Sequence, residues 1–369
     1  MGEILRVLEK LSGGKCYQTE RFTLDRYTLP DYQDAGVKFE KSKVFESNNR
    51  TRQNVTLAIS QSGSSLFKFF LDGSRRTYKV VDFGTTNGKF LPVVAGQIGA
   101  AVCQRYDKRL KKHKINCKNI LAIPDHVGDE FETIANEIPR IRVPKHKPEH
   151  RVGIDHVIQY QIDKASSTDG RFEDLAVAKI QATMHHMELD LISNMVRSNQ
   201  LATDRMLMID GSLQFINISN RLHIFQNVVG VSKSFNPNLA GLLMKRPNEQ
   251  IGGHLANLPY CSRTPVFQFE REDGTRIGAW YLRIHPISKM KRPLDGVIKI
   301  EKIATTNDQF EDGFDSNVID EISRSILLER LVTCYGSDNR WANHLYPIYL
   351  TELFLKNSFV SDTCFLSIF

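Results

Sequence analysis

Two apolar runs in this chain end in the same three residues, Asp-Gly-Ser. The first run, SLFKFFLDGS, covers residues 65–74, and the second, RMLMIDGS, covers residues 205–212. Asp-Gly is a common end to a strand, because Asp bonds to its own backbone and Gly accepts a positive φ. Alternatively, each run is a buried strand that delivers a carboxylate, Asp72 or Asp210, to a sheet edge, where two acids can share divalent metal ions.

The composition is that of a globular protein. The chain has 369 residues, 41% hydrophobic and 25% charged, which fits one large or two ordinary domains. Its apolar stretches are far shorter than the roughly 18 residues that a membrane span needs. The opening sequence, MGEILRVLEKLSGG, contains acids and lacks the apolar block of a signal peptide, so we expect a cytoplasmic protein without a membrane partner. Six scattered cysteines without a Cys-x-x-Cys pair are predicted to be reduced thiols.

Positive charge is concentrated in two segments, although the net charge is only +7. Residues 105–118, RYDKRLKKHKINCK, carry seven Lys and Arg against the single acid Asp107, and residues 140–151, RIRVPKHKPEHR, form a second run. Such runs are either solvated faces or surfaces for a polyanion, because cationic grooves capture phosphate backbones without reading sequence. The hypothesis of DNA binding assigns the contacts to Arg105, Lys108, Arg109, Lys111, Lys112 and Lys114.

The first third of the chain is predicted to contain an accessory region and a meander. Residues 1–60 begin with a short amphipathic helix and continue with polar, turn-rich sequence, so we interpret them as an N-terminal accessory or assembly region. The main domain is then 61–369, with a basic insertion around 105–151. In this domain LFKFFLD, TYKVVDF and KFLPVVAGQI are predicted to form three strands, separated by turns at 73–74 and 84–88.

Further strands are predicted at 119–124 and 154–163, and a long helix is predicted at 173–199, directly before the strand that ends at Asp210. An acid, Glu188, interrupts the apolar stripe of this helix. A carboxylate left unpaired there would be costly, so it should meet a cation or a donor. It is either a structural ion pair, a carboxylate at the margin of the stripe, or part of a metal site. The stripe consists of Val177, Met184, Leu191, Ile192 and Met195.

Seven short motifs follow one another between residues 65 and 355 and carry a family resemblance. They are the run into Asp72-Gly-Ser, LPVVAGQIGAAV, ELDLISNMV with Glu188, LMIDGSLQF with Asp210, VVGVSKSFN with Lys233, AWYLRIHP and LDGVIKIEKI. This ordered set resembles the NurA nucleases of the ribonuclease H-like superfamily. The resemblance implies an α/β fold, in which a ribonuclease H-like mixed sheet is flanked by helices and the carboxylates gather at one end of the central strands.

The resemblance also implies an activity, namely that of a metal-dependent DNA nuclease that uses Mn²⁺ or Mg²⁺. Asp72 and Asp210 would bind the metals and Glu188 would complete the shell, so that one ion activates water and the other stabilises the leaving oxygen. Lys233 would neutralise a phosphate oxygen or orient the scissile group. The family forms homodimers and docks on a HerA-like hexameric ATPase that feeds it DNA, in repair or antiviral defence. This chain has no P-loop motif of its own.

The match weakens near the C-terminus. The family pattern Tyr-Pro-x-x-Leu-x-x-Ala-His ends on an active-site His, whereas this chain has YPIYLTELF. Tyr346 is therefore kept as a candidate catalytic residue, Phe354 occupies the His position, and His344 is a candidate substitute. The departure leaves a second hypothesis open, a catalytically degenerate subunit that clamps DNA or scaffolds the ATPase. A third is a guide-binding module of the PIWI kind, with the basic runs as its groove.

Overall fold

The structure is a computed structural model, in which helices cover both faces of a large mixed sheet. It describes residues 2–11, 16–23, 37–38, 44–47, 53–58, 64–85, 88–144, 151–162, 172–213, 218–237, 250–271, 273–332 and 341–369. The strands are β1 (Cys16–Thr23), β2 (Val37–Lys38), β3 (Val55–Thr56), β4 (Phe67–Gly84), β5 (Phe90–Tyr106), β6 (Arg109–Pro124), β7 (Val143–Pro144), β8 (Arg151–Val152), β9 (His156–Tyr160), β10 (Met206–Asp210), β11 (Val228–Ser232), β12 (Ser262–Arg263), β13 (Phe267–Arg271), β14 (Arg276–Arg283) and β15 (Val297–Ile303). The α-helices are α1 (Glu3–Leu11), α2 (Phe131–Glu137), α3 (Phe172–Arg197), α4 (Ile251–Ala256), α5 (Asn307–Asp312), α6 (Ser316–Leu327), α7 (Tyr346–Lys356) and α8 (Asp362–Leu366). Short 3₁₀ helices lie at Asp125–Glu130, Ile138–Arg140, Ser219–Phe225, Ile287–Lys289 and Trp341–Asn343.

The main sheet has the strand order β2-β13-β14-β15-β11-β10-β4-β5-β6-β9. Strands β4, β10 and β11 run parallel to one another, as do β6 and β9, and the other neighbours in this order are antiparallel. Strand β1 pairs with the second half of β4, and β12 pairs with β14 and β3. The predicted α/β class, with a mixed sheet flanked by helices, is therefore confirmed.

Strand β4 continues through Asp72, although the sequence predicts two strands there with a turn at 73–74. LFKFFLD and TYKVVDF form one strand of 18 residues, so the prediction of a turn is wrong. The reason is the long neighbour β5, which pairs with this segment residue by residue, with Asp72 opposite Ala101 and Gly73 opposite Ala100. This pairing satisfies main-chain groups that a turn would expose. The second acid-bearing strand, β10, does end at Asp210 as predicted.

The remaining predicted elements of the main domain are found close to their expected positions. The long helix is α3, the predicted strand at 119–124 is the last part of β6, and β9 lies within 154–163. The first basic run lies on the β5–β6 hairpin, which is part of the main sheet. Of the second run, residues 145–150 lie outside the described residues. The five cysteines that the structure describes are free thiols.

Successive side chains of the central strands point to opposite faces of the sheet, so each face has its own hydrophobic core. On one face Leu71 and Val102 pack with the apolar side of α3. On the opposite face Phe70 packs with residues of α6 and α7, such as Ile322 and Ile348. Because successive side chains of a strand point to opposite faces, Asp72 belongs to the α7 face and Gly73 to the α3 face.

The described parts of residues 1–60 pack into the same body. Ile4 and Leu8 of α1 are fully buried in a cluster with Phe365 of α8, and Glu46 binds the buried guanidinium of Arg263. A role of this region in assembly stays a prediction. None of the helices described above has the length together with the apolar character that crossing a bilayer requires.

Candidate metal centre

Three carboxylates from three elements meet where β10 ends. Asp72 comes from β4, Asp210 is the last residue of β10, and Glu352 comes from α7; one oxygen of each lies within 4.8 Å of the others. The register explains the meeting of the first two, because Ile209 is paired with Leu71 in parallel strands. The next residue of each strand, Asp210 and Asp72, therefore points to the same face of the sheet. Helix α7 packs across this face and supplies the third acid.

A lysine completes this group. Lys233 follows β11 directly, and its Nζ lies 2.7 Å from Asp210 Oδ2 and 3.9 Å from Glu352 Oε2. Burial alone would lower the pKa of Lys233, but the charges of Asp210, Glu352 and Asp72 raise it above its ordinary value. The side chain is therefore an ammonium at neutral pH. Its backbone is also fixed, because Asn343 Nδ2 donates to the Lys233 carbonyl at 2.9 Å.

The ionised form of the Asp72 carboxyl group is destabilised in this group of charges. It is buried, and burial followed by the charge of Asp210 raises its pKa well above the ordinary value, although Lys233 acts in the opposite direction. Among the described residues, no hydrogen-bond donor reaches the buried Asp72 Oδ2. A buried acceptor without a donor is costly. A divalent cation would stabilise the ionised Asp72 and would give its Oδ2 a partner. The oxygen-only ligand set of Asp72, Asp210 and Glu352 is the kind that Mg²⁺ and Mn²⁺ prefer. The residues present therefore fit a hard divalent metal.

Glu188 approaches the same place from the other face of β4. A Cβ built on Gly73 would lie only 2.2 Å from Glu188 Oε1, so the carboxylate occupies the space that the missing side chain leaves. Glu188 is 4% exposed. Burial, and secondly the charge of Asp210, raise its pKa to about 8. It lies beside the three clustered carboxylates and is not one of them, so its predicted role as a ligand stays a prediction.

Glu352 is a candidate metal ligand that the sequence analysis does not identify. Burial alone would raise its pKa, but Lys233 and then Lys356 lower it, with a smaller contribution from His344. Glu352 is thus ionised and already part of an ion-pair network. The sequence did carry a signal, because Glu352 lies four residues after Ile348, on the buried stripe of α7. The same signal, an acid on an apolar stripe, had pointed to Glu188.

The other residues of the family pattern in and beside α7 have surroundings that differ from those of Glu352. Phe354, at the position of the family His, is 37% exposed on the outer side of α7. His344 is buried and close enough to influence Glu352. The Tyr346 ring packs against the Arg330 guanidinium, 4.7 Å from the ring centroid. In the described structure its ring contacts are with Arg330 and Tyr349 rather than with the carboxylates, and its catalytic role stays a prediction.

The basic hairpin lies away from the carboxylates. Ala101, opposite Asp72, is five residues from Tyr106 at the end of β5, which is about 17 Å along the strand. Because β5 is antiparallel to β4, this direction leads away from the end of β10. Arg105 is also engaged in the fold, since it pairs with the buried carboxylate of Glu329.

The cations of the hairpin do not form a single row. Lys112 is opposite Cys103, whose thiol bonds to Thr351 of α7, whereas Lys114 is opposite Val102 in the α3 core. Opposed residues of antiparallel strands share a face. Lys111 is opposite Gln104, so it shares the face of Lys114. Lys108 and Arg109 are exposed at the tip. DNA binding by this run stays a prediction. Because its cations face different sides of the sheet, a single DNA-binding surface would include only some of them.

Comparison with known proteins gives little further information. No protein-family model matches the chain, and no curated protein matches it. The crystal structure of the NurA nuclease from Sulfolobus solfataricus is similar with a TM-score of 0.42 and 10% sequence identity, over 81% of each chain. Similarity of that degree does not assign a function, so the site has to be interpreted from its own residues.

Proposed function

We propose that this chain is a metal-dependent DNA nuclease that hydrolyses phosphodiester bonds at the carboxylate centre of Asp72, Asp210 and Glu352. The observation that carries the proposal is the convergence of these three acids around one point, with a buried Asp72 oxygen that lacks a donor among the described residues. A buried carboxylate that is destabilised in this way beside two further acids is expected where a cation belongs.

Bound Mn²⁺ or Mg²⁺ would supply an activated water and stabilise the leaving oxygen. Asp72, Asp210 and Glu352 would hold the metal from the α7 face of β4. The ammonium of Lys233 lies within 4 Å of two of these acids, so it can bind a non-bridging oxygen of the scissile phosphate and orient it. Glu188 lies behind β4 and would join the ligands or support them through Asp210.

The arrangement of the strands supports the ribonuclease H-like interpretation. An acid-bearing strand (β4), two antiparallel strands (β5 and β6), a helix (α3) and a second acid-bearing strand beside the first (β10) follow in the order of that superfamily. The motif order of the NurA nucleases favours DNA as the substrate. It also favours a homodimer that works with a HerA-like hexameric ATPase in DNA end processing or antiviral defence.

One observation favours a second candidate, a degenerate subunit that clamps DNA or scaffolds the ATPase. The His of the family pattern is replaced by Phe354, which is 37% exposed. Glu352 on α7 and His344 just before α7 could replace this His in the active site. The guide-binding hypothesis has less support, because a groove would need the hairpin cations on one face.

The test is cleavage of labelled single- and double-stranded DNA with Mn²⁺ or Mg²⁺, alone and with a HerA-like ATPase. Asp72→Asn and Asp210→Asn should each abolish cleavage and remain folded, because each removes a metal-binding charge. Asp204→Asn is the matched control, since this acid precedes β10 and its side chain is 79% exposed. Cleavage by both site variants at the wild-type rate would reject the proposed centre. Tight DNA binding by the wild type without cleavage would favour the clamp.

A further inference from the structure

Another buried carboxylate, Glu301 of β15, binds the residues that directly follow the end of β10. Its Oε2 accepts from Ser212 Oγ and from the Leu213 backbone N–H, both at 2.7 Å. Its Oε1 lies 2.7 Å from the Lys299 ammonium. Both oxygens of Glu301 are thus used, and two of the three bonds go to the residues that follow Asp210 and Gly211.

The same turn is fixed at further points on β11. The Gly211 N–H donates to the Val231 carbonyl at 2.9 Å, and Gly211 has a φ of 101°, which favours glycine. Leu213 then folds over β11 at Gly230, where an added Cβ would lie 2.7 Å from Leu213 Cγ. The chain therefore leaves β10, crosses β11 closely and reaches Glu301 on the next strand, β15.

Stability alone does not explain the buried ion pair of Glu301 and Lys299, because such a pair stabilises a fold little compared with apolar residues of the same size. Glu301 is 1% and Lys299 6% exposed. Burial alone would raise the pKa of Glu301, but Lys299 and the hydrogen bonds lower it, so the carboxylate is ionised. An ionised carboxylate at this point gives a strong acceptor to a backbone N–H and a hydroxyl that directly follow the end of β10.

We infer that Glu301, held by Lys299, is a positioning residue for Asp210, an inference that rests on the proposed metal-binding function. Glu301 does not contact the three clustered acids. It fixes the path of residues 211–213, and with it the direction in which the Asp210 carboxylate leaves β10. Groups that orient a metal ligand in this way commonly change metal affinity or activity 10- to 100-fold when removed.

The chain contains a matched control for Glu301. Glu46 is equally buried and makes the same three kinds of bond: to a cation, Arg263, to a backbone N–H, that of Val266, and to a serine hydroxyl, that of Ser316. Its partner Arg263 is on β12, which β14, β15 and β11 separate from β10 in the sheet, so Glu46 lies away from the metal centre. Glu46→Gln should therefore reproduce any general loss of stability in Glu301→Gln, without the loss of positioning.

The experiment is a Mn²⁺ titration of the full chain without DNA, in which free Mn²⁺ is followed by electron paramagnetic resonance. Glu301→Gln should weaken Mn²⁺ binding by about 10- to 100-fold, and Glu46→Gln should bind like the wild type. Ser212→Ala, which keeps the ion pair and removes one bond to the turn, should weaken binding less, and it decides the question if Glu301→Gln does not fold.

Wild-type affinity in Glu301→Gln, or in Ser212→Ala where Glu301→Gln does not fold, would overturn the inference. An equal loss in Glu46→Gln would also overturn it, because the effect would then be general. If the wild-type chain itself binds no Mn²⁺, the proposed function fails, and the positioning role fails with it.

Discussion

Glu188→Gln should make the metal-free protein more stable, although it removes a carboxylate beside the proposed metal centre. The Glu188 carboxyl is buried against Gly73 and its pKa is raised to about 8. In the unfolded chain the same group has its ordinary pKa of 4.5. The unfolded state therefore releases this proton at a lower pH than the folded state, and the difference favours unfolding. Glutamine has the same shape and no proton to release.

The magnitude follows from the two pKa values. At pH 7 the group is almost fully ionised in the unfolded chain and mostly protonated in the folded chain, which costs the fold about 3 kcal/mol. The advantage of Glu188→Gln should be absent below about pH 4.5, grow between pH 4.5 and pH 8, and stay constant above that. If Glu188 contributes to metal binding, added Mn²⁺ should narrow the difference, because the wild type then gains more stability from binding than the variant does, up to about 2.7 kcal/mol at a hundred times Kd.

The assay is thermal and urea unfolding from pH 5 to pH 9, with a chelator and then with Mn²⁺. Glu352→Gln is the control, because it makes the same chemical change at the same centre with the opposite sign. The pKa of Glu352 is lowered by Lys233, so ionised Glu352 contributes stability above its ordinary pKa, and this contribution is lost as the pH falls. Glu352→Gln should therefore be less stable than the wild type at pH 7. A Glu188→Gln protein that is less stable than the wild type throughout this pH range would contradict a raised pKa of Glu188 in the folded chain.

Two further predictions concern the neighbouring strand and the basic hairpin. Gly73→Ala should lower both the free energy of unfolding and the affinity for Mn²⁺, because the new Cβ would lie 2.2 Å from Glu188 Oε1; unfolding and metal titrations measure the two, and wild-type values in both would contradict the packing. If DNA follows the α3 face of the hairpin, Lys111→Ala/Lys114→Ala should flatten the plot of log affinity against log salt by roughly 0.7 to 0.9 for each phosphate that the protein no longer neutralises. Lys112→Ala, on the other face, should leave the slope unchanged. Unchanged slopes in all variants would indicate a solvated hairpin or, if co-purification with the ATPase is abolished, a protein-binding surface.

The two aspartates could be predicted from sequence because their surroundings are local and repeated. An apolar run followed by Asp-Gly-Ser occurs twice, and the two runs form the parallel strands β4 and β10, whose pairing places Asp72 and Asp210 side by side. Glu188 was predicted for a similar reason, since its helix has a regular apolar stripe that an acid interrupts. In each case a few neighbouring residues contain the information.

The course of β4 could not be predicted in this way. Asp-Gly-Ser has a strong local preference for turns, but the pairing of β4 with β5 extends through Asp72 and Gly73 to Gly84. Such pairing depends on residues far along the chain and outweighs local propensity. Glu352 was missed for a related reason. Its meeting with Asp72 depends on how α7 is laid across the sheet, which no short sequence window contains.

The continuity of β4 gives Gly73 a different purpose from the one that the sequence suggested. In a turn the glycine would supply a positive φ, but here it lies in a regular strand and its missing Cβ makes room for Glu188. The strand thus separates two sets of acids: Asp72, Asp210 and Glu352 on the α7 face, and Glu188 on the α3 face. Both sets influence the charge of Asp72. Because β4 is unbroken, it directs Asp72 to the α7 face and leaves room at Gly73 for Glu188 on the α3 face. Asp72 and Gly73, which the sequence suggested as the start of a turn, therefore both belong to the candidate metal centre and its surroundings.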